Sequence, residues 1–362
     1  MNSSGEESLS PGERGDADVT PRTTERTLLM RGGNLLARLK IDPFIFGLLA
    51  VVGIACLLPA RGQGAQVASI VSQIGVGALF FLYGARLSTS EAMAGLRHWR
   101  LHLTILVATF VVFPLLGLAT KLLVPTVLTP TLAAGVIFLC TLPSTVQSSI
   151  AFTSIARGNV AAAICSASFS SLIGIVLTPL LVGLLLNTTG AGFSLHSLTS
   201  ITLQLLVPFL AGQVARRWIG GWIAAHRKVL GRADRTTILI VVYTAFSEGV
   251  TAGIWHQLSW LSLGGLLLVN VLLFLVVLAV MKVASARLGF SREDQIAIVF
   301  CGSKKSLASG LPMATVLFPA GSVGLIVLPL MLFHQAQLMI CAVLARRWGA
   351  RAEARELTPV AA

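Results

Sequence analysis

Apolar runs close to twenty residues long recur along most of the chain, separated by short stretches that carry most of its charge. About twenty apolar helical residues cross the hydrocarbon core of a bilayer. The runs predict ten spans, over residues 43–59, 67–86, 102–123, 131–156, 159–186, 198–218, 236–254, 260–282, 294–317 and 322–345. The expected class is an all-α polytopic membrane protein of ten transmembrane helices. Residues 1–41 stand apart. The first 27 are polar and lack the apolar stretch of a signal peptide, which reads as a disordered tail. Residues 28–41 set Arg31, Arg38 and Lys40 among leucines, as a basic segment on the membrane surface does. Residues 348–362 are read as a second polar tail.

Two spans break the apolar pattern. Span four reads Leu142-Pro143-Ser144-Thr145-Val146-Gln147-Ser148-Ser149. Pro143 removes a backbone donor and disfavours helical geometry at Leu142. Span nine carries Gly302-Ser303-Lys304-Lys305-Ser306, two adjacent lysines at membrane depth. One lysine near a bilayer centre costs about 2.5–3.5 kcal/mol on insertion scales. Both spans are therefore expected to be broken helices lining a polar cavity, a transporter feature. Free amide ends there attract anions, and free carbonyl ends attract cations.

The two breaks also fit an internal repeat. Pro43-Phe44-Ile45-Phe46-Gly47 resembles Pro208-Phe209-Leu210-Ala211-Gly212, and Thr178-Pro179-Leu180-Leu181 resembles Leu328-Pro329-Leu330-Met331. Five spans per half is an odd number, so the halves, 42–187 and 198–347, would insert with opposite orientation. The expectation is two inverted five-helix repeats whose broken helices, spans four and nine, cross.

Charge orients the chain. Of the 362 residues, 55% are hydrophobic and 11% charged, against about 25% charged in soluble domains. The net charge of +13 would admit nucleic acid as a partner, but its placement argues otherwise. Under the ten-span reading, 23 of the 27 Lys and Arg residues fall on one side and only Arg61 and Lys121 on the other. That asymmetry puts both termini in the cytoplasm of a multi-pass protein of the plasma (cytoplasmic) membrane. The bilayer, rather than nucleic acid, is the expected partner.

Three further constellations are candidates. Glu248 is an acid inside span seven, with Lys304 or Lys305 as its natural partner. His334, Gln335 and Gln337 form a polar patch in span ten. The five cysteines lie in apolar runs with no C-x-x-C pair, so neither a disulfide framework nor a certain metal site is implied. No phosphate-binding loop, nucleophile elbow or His-Glu-x-x-His motif is present, so an enzyme is not expected. The candidate substrate and ion site comprises Ser144, Thr145, Gln147, Ser148, Ser149, Glu248, Ser303, Lys304, Lys305, Ser306, His334, Gln335 and Gln337.

At these residues the chain resembles the bile acid:sodium symporter superfamily, in its bacterial SBF-like branch. The likeness is carried by Pro143 to Phe152, by Ala156-Arg157-Gly158-Asn159-Val160, by Phe300-Cys301-Gly302-Ser303-Lys304-Lys305-Ser306-Leu307 and by Phe333-His334-Gln335-Ala336-Gln337. The resemblance implies a panel of spans 1, 2, 6 and 7 and a core of 3–5 and 8–10. It also implies transport of a small organic anion, driven by sodium or protons, with no other cofactor. Sodium would lie near Ser144, Thr145, Gln147, Ser148 and Ser149. The chain departs from the sodium-driven pattern: span nine lacks the family's acid, and Ile150 stands at about the place of an asparagine. A fixed lysine would then stand in for the cation. The competing expectations are a cation/proton exchanger on a similar fold, and a membrane regulator or solute receptor that moves nothing.

Overall fold

The computed structural model describes residues 43–86, 98–187, 195–253 and 259–356. The expected tail and surface segment over 1–41 lie outside the described residues. The described residues from Phe46 onward form one compact unit; of the other, 1–45, only the start of the first helix is described.

Every regular element among the described residues is helical. Helix α1 covers Pro43–Leu57 and α2 Gln63–Arg86. Helix α3, Trp99–Val107, runs through a π-helical stretch, Ala108–Val112, into α4, Phe113–Ala119, and a 3-10 turn, Thr120–Leu123. Next come α5 (Pro130–Thr141), α6 (Gln147–Ile155) and α7 (Val160–Asn187). The second half holds α8 (Leu195–Ala225), α9 (Arg227–Thr251), α10 (Trp260–Arg287), α11 (Arg292–Gly302), α12 (Leu307–Leu317) and α13 (Ala320–Glu356). Among the described residues, five helical stretches are long and apolar enough to cross a membrane: Gln63–Arg86, Trp99–Leu123, Val160–Leu186, Trp260–Arg287 and Ala320–Glu353. Helix α13 continues past residue 345, where span ten was expected to end.

Local chemistry sets the helix ends. Thr129 caps α5, its hydroxyl accepting from the Leu132 amide, and Pro130 occupies the first turn, where no amide partner is needed. Ser291, Ser259 and Ser306 cap α11, α10 and α12 in the same way. Helix α5 stops because Leu142 precedes Pro143 and turns extended, at φ −70° and ψ 153°.

The helices carry apolar side chains outward as well as inward. Leu57, Leu122, Trp260 and Leu184 are all more than 60% exposed. In water so large an apolar exterior would aggregate; in lipid it is the solvated face. Inside, Phe333 meets the edges of Phe113 and Phe274, with centroids at 6.0 and 5.7 Å. Helices in lipid gain little from burying apolar surface, so close approach and hydrogen bonds hold them together. The most extensive packing is between α2 and α8, where Gly84 lies against the Phe209 carbonyl and Gly212 against that of Phe81. Arg86 and Asp234 form a two-point ion pair joining α2 to α9.

Candidate functional site

The segment between α5 and α6, residues 142–146, meets the segment between α11 and α12, residues 303–306. Each supplies what the other lacks. The Ser144 hydroxyl donates to the Cys301 carbonyl at 2.6 Å, and the Ser149 hydroxyl to the Phe300 carbonyl at 3.0 Å. Both carbonyls lie in the last turn of α11, where helical donors run out. In return the Ser306 amide donates to the Pro143 carbonyl at 2.9 Å. The Ser144 amide donates to the Ser170 hydroxyl of α7 at 2.9 Å, and the Thr178 hydroxyl to the Thr141 carbonyl at 2.9 Å. Buried backbone groups need partners, and here side chains from across the interface provide them.

The two lysines are fully buried and differently surrounded. Lys305 Nζ donates to the carbonyls of Thr109, Cys140 and Leu142, at 2.8, 2.7 and 2.7 Å. The Phe113 ring lies 4.2 Å from it. Gln337 clasps the Lys305 backbone from α13: its Oε1 accepts from the amide at 2.9 Å, and its Nε2 donates to the carbonyl at 3.0 Å. That same Nε2 lies 2.8 Å from His334 Nδ1.

Lys304 makes one hydrogen bond among the described residues, to the Ser148 hydroxyl at 3.2 Å. Its ammonium lies 4.6 Å from the Phe152 ring and 5.8 Å from that of Phe300, within cation–π range. Ser148 sits in the first turn of α6, a helix whose N-terminus has no side-chain cap. Its hydroxyl also lies 3.4 Å from that of Thr145. Gln147 is exposed, and with Ala151 and Ser154 it forms one exposed stripe along α6.

Most of the expected residues therefore converge. Ser144, Thr145, Ser148, Ser149, Ser303, Lys304, Lys305 and Ser306 lie at the meeting of the two segments. Ser303 and Ser306 bond locally, to the Val299 carbonyl and to the Ser309 hydroxyl and amide. Gln337 and His334 support Lys305, while Gln335 keeps a buried oxygen without a partner.

The expected pairing of Glu248 with a lysine is not found. Among the described residues Asp234, rather than Glu248, is seen in an ion pair, with Arg86. The Lys305 ammonium already has three carbonyl acceptors. Glu248 lies half-buried in the last turn of α9, near its exposed end.

Sequence reasoning missed Thr109, Phe113, Phe152 and Ser170. Thr109 was not legible: in an α-helix Pro114 would free the carbonyl of Phe110, four residues back, and only the π-helical stretch moves the free carbonyl to Thr109. The Arg157-Gly158-Asn159 motif is architectural. Arg157 adopts φ 57°, and a Cβ on Gly158 would stand 2.5 Å from the Ile296 side chain. Asn159 donates to Asp294 at 2.8 Å and caps the Ala162 amide at 3.0 Å. The motif thus ties the start of α7 to the first turn of α11.

Comparison with known proteins gives the family. The family profile described as the SBF-like CPA transporter family matches residues 42–350. The Pseudomonas aeruginosa protein PA2026 is 57% identical over 311 residues, covering 86% of this chain and 93% of its own. The Escherichia coli protein YfeH is 51% identical over 313 residues, 86% of this chain and 94% of its own. Sodium/bile acid cotransporter 7 of Xenopus tropicalis is 31% identical over 320 residues, 86% and 92%. The chain is a multi-pass membrane transporter, not an enzyme, and it belongs to the SBF-like CPA transporter family.

Proposed function

We propose that the chain is a secondary active transporter of a small organic anion, working by movement of a helical panel against a core. The panel comprises α1, α2, α8 and α9, and the remaining helices form the core. Helices α5 with α6, and α11 with α12, act as broken spans four and nine of ten crossings, related as two inverted five-helix repeats. Both termini lie in the cytoplasm, and the host is the cytoplasmic membrane.

The observation that carries this reading is Lys304. Its ammonium is fully buried, has one hydrogen bond among the described residues, and adjoins the uncapped first turn of α6. A buried cation is costly unless paired. Two N–H donors and the free amides of a helix start match the two oxygens of a carboxylate, or a sulfonate. The exposed stripe of Gln147, Ala151 and Ser154 offers the approach from the cytoplasm. The Xenopus tropicalis relative is named a sodium/bile acid cotransporter, and bile acid is an organic anion, which supports the substrate class. Coupling is to sodium or protons. Ser144 and Ser149 donate their hydroxyl hydrogens to carbonyls, which leaves their oxygen lone pairs free, so a coupling sodium would draw on Ser144, Thr145, Gln147, Ser148 and Ser149.

The test joins binding to flux. Purified protein is screened against organic acids for a rise in melting midpoint, since a ligand of the folded form stabilises it. Hits are then followed as uptake into proteoliposomes. Lys304→Met is expected to lose the anion-induced rise and at least tenfold of uptake. Full uptake by Lys304→Met refutes the site, and binding without saturable flux in the parent protein refutes transport.

A further inference from the structure

The three carbonyls around Lys305 share a history: each has lost its place in a helix. The Thr109 carbonyl lies in the π-helical stretch. The Phe113 amide bonds the Ala108 carbonyl, and the next residue in line, Pro114, has no amide hydrogen. The Cys140 carbonyl would take the Ser144 amide in a continuous helix, but that amide goes to Ser170. Leu142 has already turned extended before Pro143. Three orphan carbonyls from two chain segments thus converge on one point. The Phe113 ring closes a further side.

Such a shell is a cation site. Rings of backbone carbonyls replace the hydration shell of monovalent ions in selective pores. Here every ligand of the ammonium is a neutral dipole, with no carboxylate in salt-bridge reach among the described residues. The three N–H groups of the ammonium match the three oxygens, so the shell is filled. The backbone clasp by Gln337 fixes the stem that delivers the charge.

We propose that the Lys305 ammonium is a tethered monovalent cation filling a carbonyl site made by Thr109, Cys140 and Leu142, and that this site takes up and releases no ion during transport. The inference deepens the transport reading: any exchangeable coupling ion must use another place, such as the Thr145, Gln147 and Ser148 face. It assigns the adjacent lysines separate tasks, Lys304 toward the anion and Lys305 toward the carbonyls.

The experiment is cation rescue. Lys305→Ala removes the ammonium and leaves the carbonyls. Parent and variant are purified, and melting is followed in sodium, potassium, methylammonium or choline chloride at equal ionic strength. The parent melted in each of the four salts is the reference, so that any stabilisation by sodium at a separate coupling site is subtracted. Lys305→Ala should melt several degrees lower in choline and recover at least half of that loss, saturably, in one of the small cations. Lys304→Met, equally buried but without the carbonyl shell, should show no such recovery. Lys305→Ser is the second variant, with the same expectation. Insensitivity of the Lys305 variants to cation identity overturns the proposal. So does equal rescue of Lys304→Met, or failure of both Lys305 variants to fold in any small cation. The readout is melting without substrate, so a failed anion screen would leave this result standing.

Discussion

The reciprocal glycine contact between α2 and α8 gives a prediction whose size follows from geometry. A Cβ on Gly84 would stand 1.9 Å from the Phe209 carbonyl oxygen, and one on Gly212 would stand 2.0 Å from that of Phe81. Carbon meets a carbonyl oxygen at about 3.3 Å. Each methyl group is therefore more than 1 Å too close, and the obstacle is backbone, which has no rotamer to change. The helices must separate. Overpacking of this kind costs about 1–3 kcal/mol. Gly84→Ala and Gly212→Ala should each lower the melting midpoint accordingly. Both methyl groups strain the same crossing, so the first to open it should relieve the second. The double variant is expected to fall short of the sum by at least about 0.5 kcal/mol. Gly77→Ala, on the same helix with nothing within 4 Å of its Cβ, serves as the control. Its gain in helix propensity, up to about 1 kcal/mol, should leave it neutral or more stable. The assay is a thermal melt of each purified variant. Strict additivity, or wild-type melting of Gly84→Ala, would refute the close-approach argument.

Two further predictions concern bonds already described. Ser144→Ala and Ser149→Ala each orphan a buried carbonyl of α11 and should cost about 1–3 kcal/mol in a melting assay; melting within error of the parent in both would show that the two segments are not held together by these hydroxyls. Arg86→Met and Asp234→Leu should each destabilise more than the combined variant, because a lone charge at this partly buried site is worse than none; a double variant worse than both singles would contradict that.

The end of α5 at Thr141 was legible because its cause is local. Pro143 announces that a donor is missing, and the serines beside it announce replacements. The partners of Lys305 were not legible. Every residue carries a carbonyl, so nothing in the letters Thr109, Cys140 and Leu142 distinguishes them as ligands. Only Pro114 and Pro143 hinted that carbonyls nearby would be free. The expected Glu248 partnership went wrong for the same reason. Charge matching considers side chains alone, whereas backbone dipoles satisfied the cation first. The Gly84 and Gly212 contact was equally hidden among 34 glycines, since close approach is a property of two helices and not of either sequence.

How the parts move can be argued from where the strong bonds lie. The two central segments are fastened by short hydrogen bonds from Ser144, Ser149 and Ser306 and by the Lys305 ammonium. A transport cycle that broke these each time would pay for several buried polar groups at once. On the panel and core reading, the easier motion slides α2 past α12. There the Tyr83 hydroxyl reaches the Ala308 carbonyl at 3.4 Å, a carbonyl left free because Pro312 lacks the amide that would take it. So long a bond contributes at the low end of the usual range, roughly 0.5–1 kcal/mol. That is small for stability but enough to shift a two-state balance about two- to fivefold. Tyr83→Phe should therefore melt close to the parent while its uptake rate changes by a factor in that range. Ser144→Ala should show the larger loss of stability. Unchanged uptake in Tyr83→Phe, measured beside unchanged melting, would place this contact outside the moving interface. A large loss of stability would instead make Tyr83 part of the fixed frame, and the sliding surface would have to be sought elsewhere.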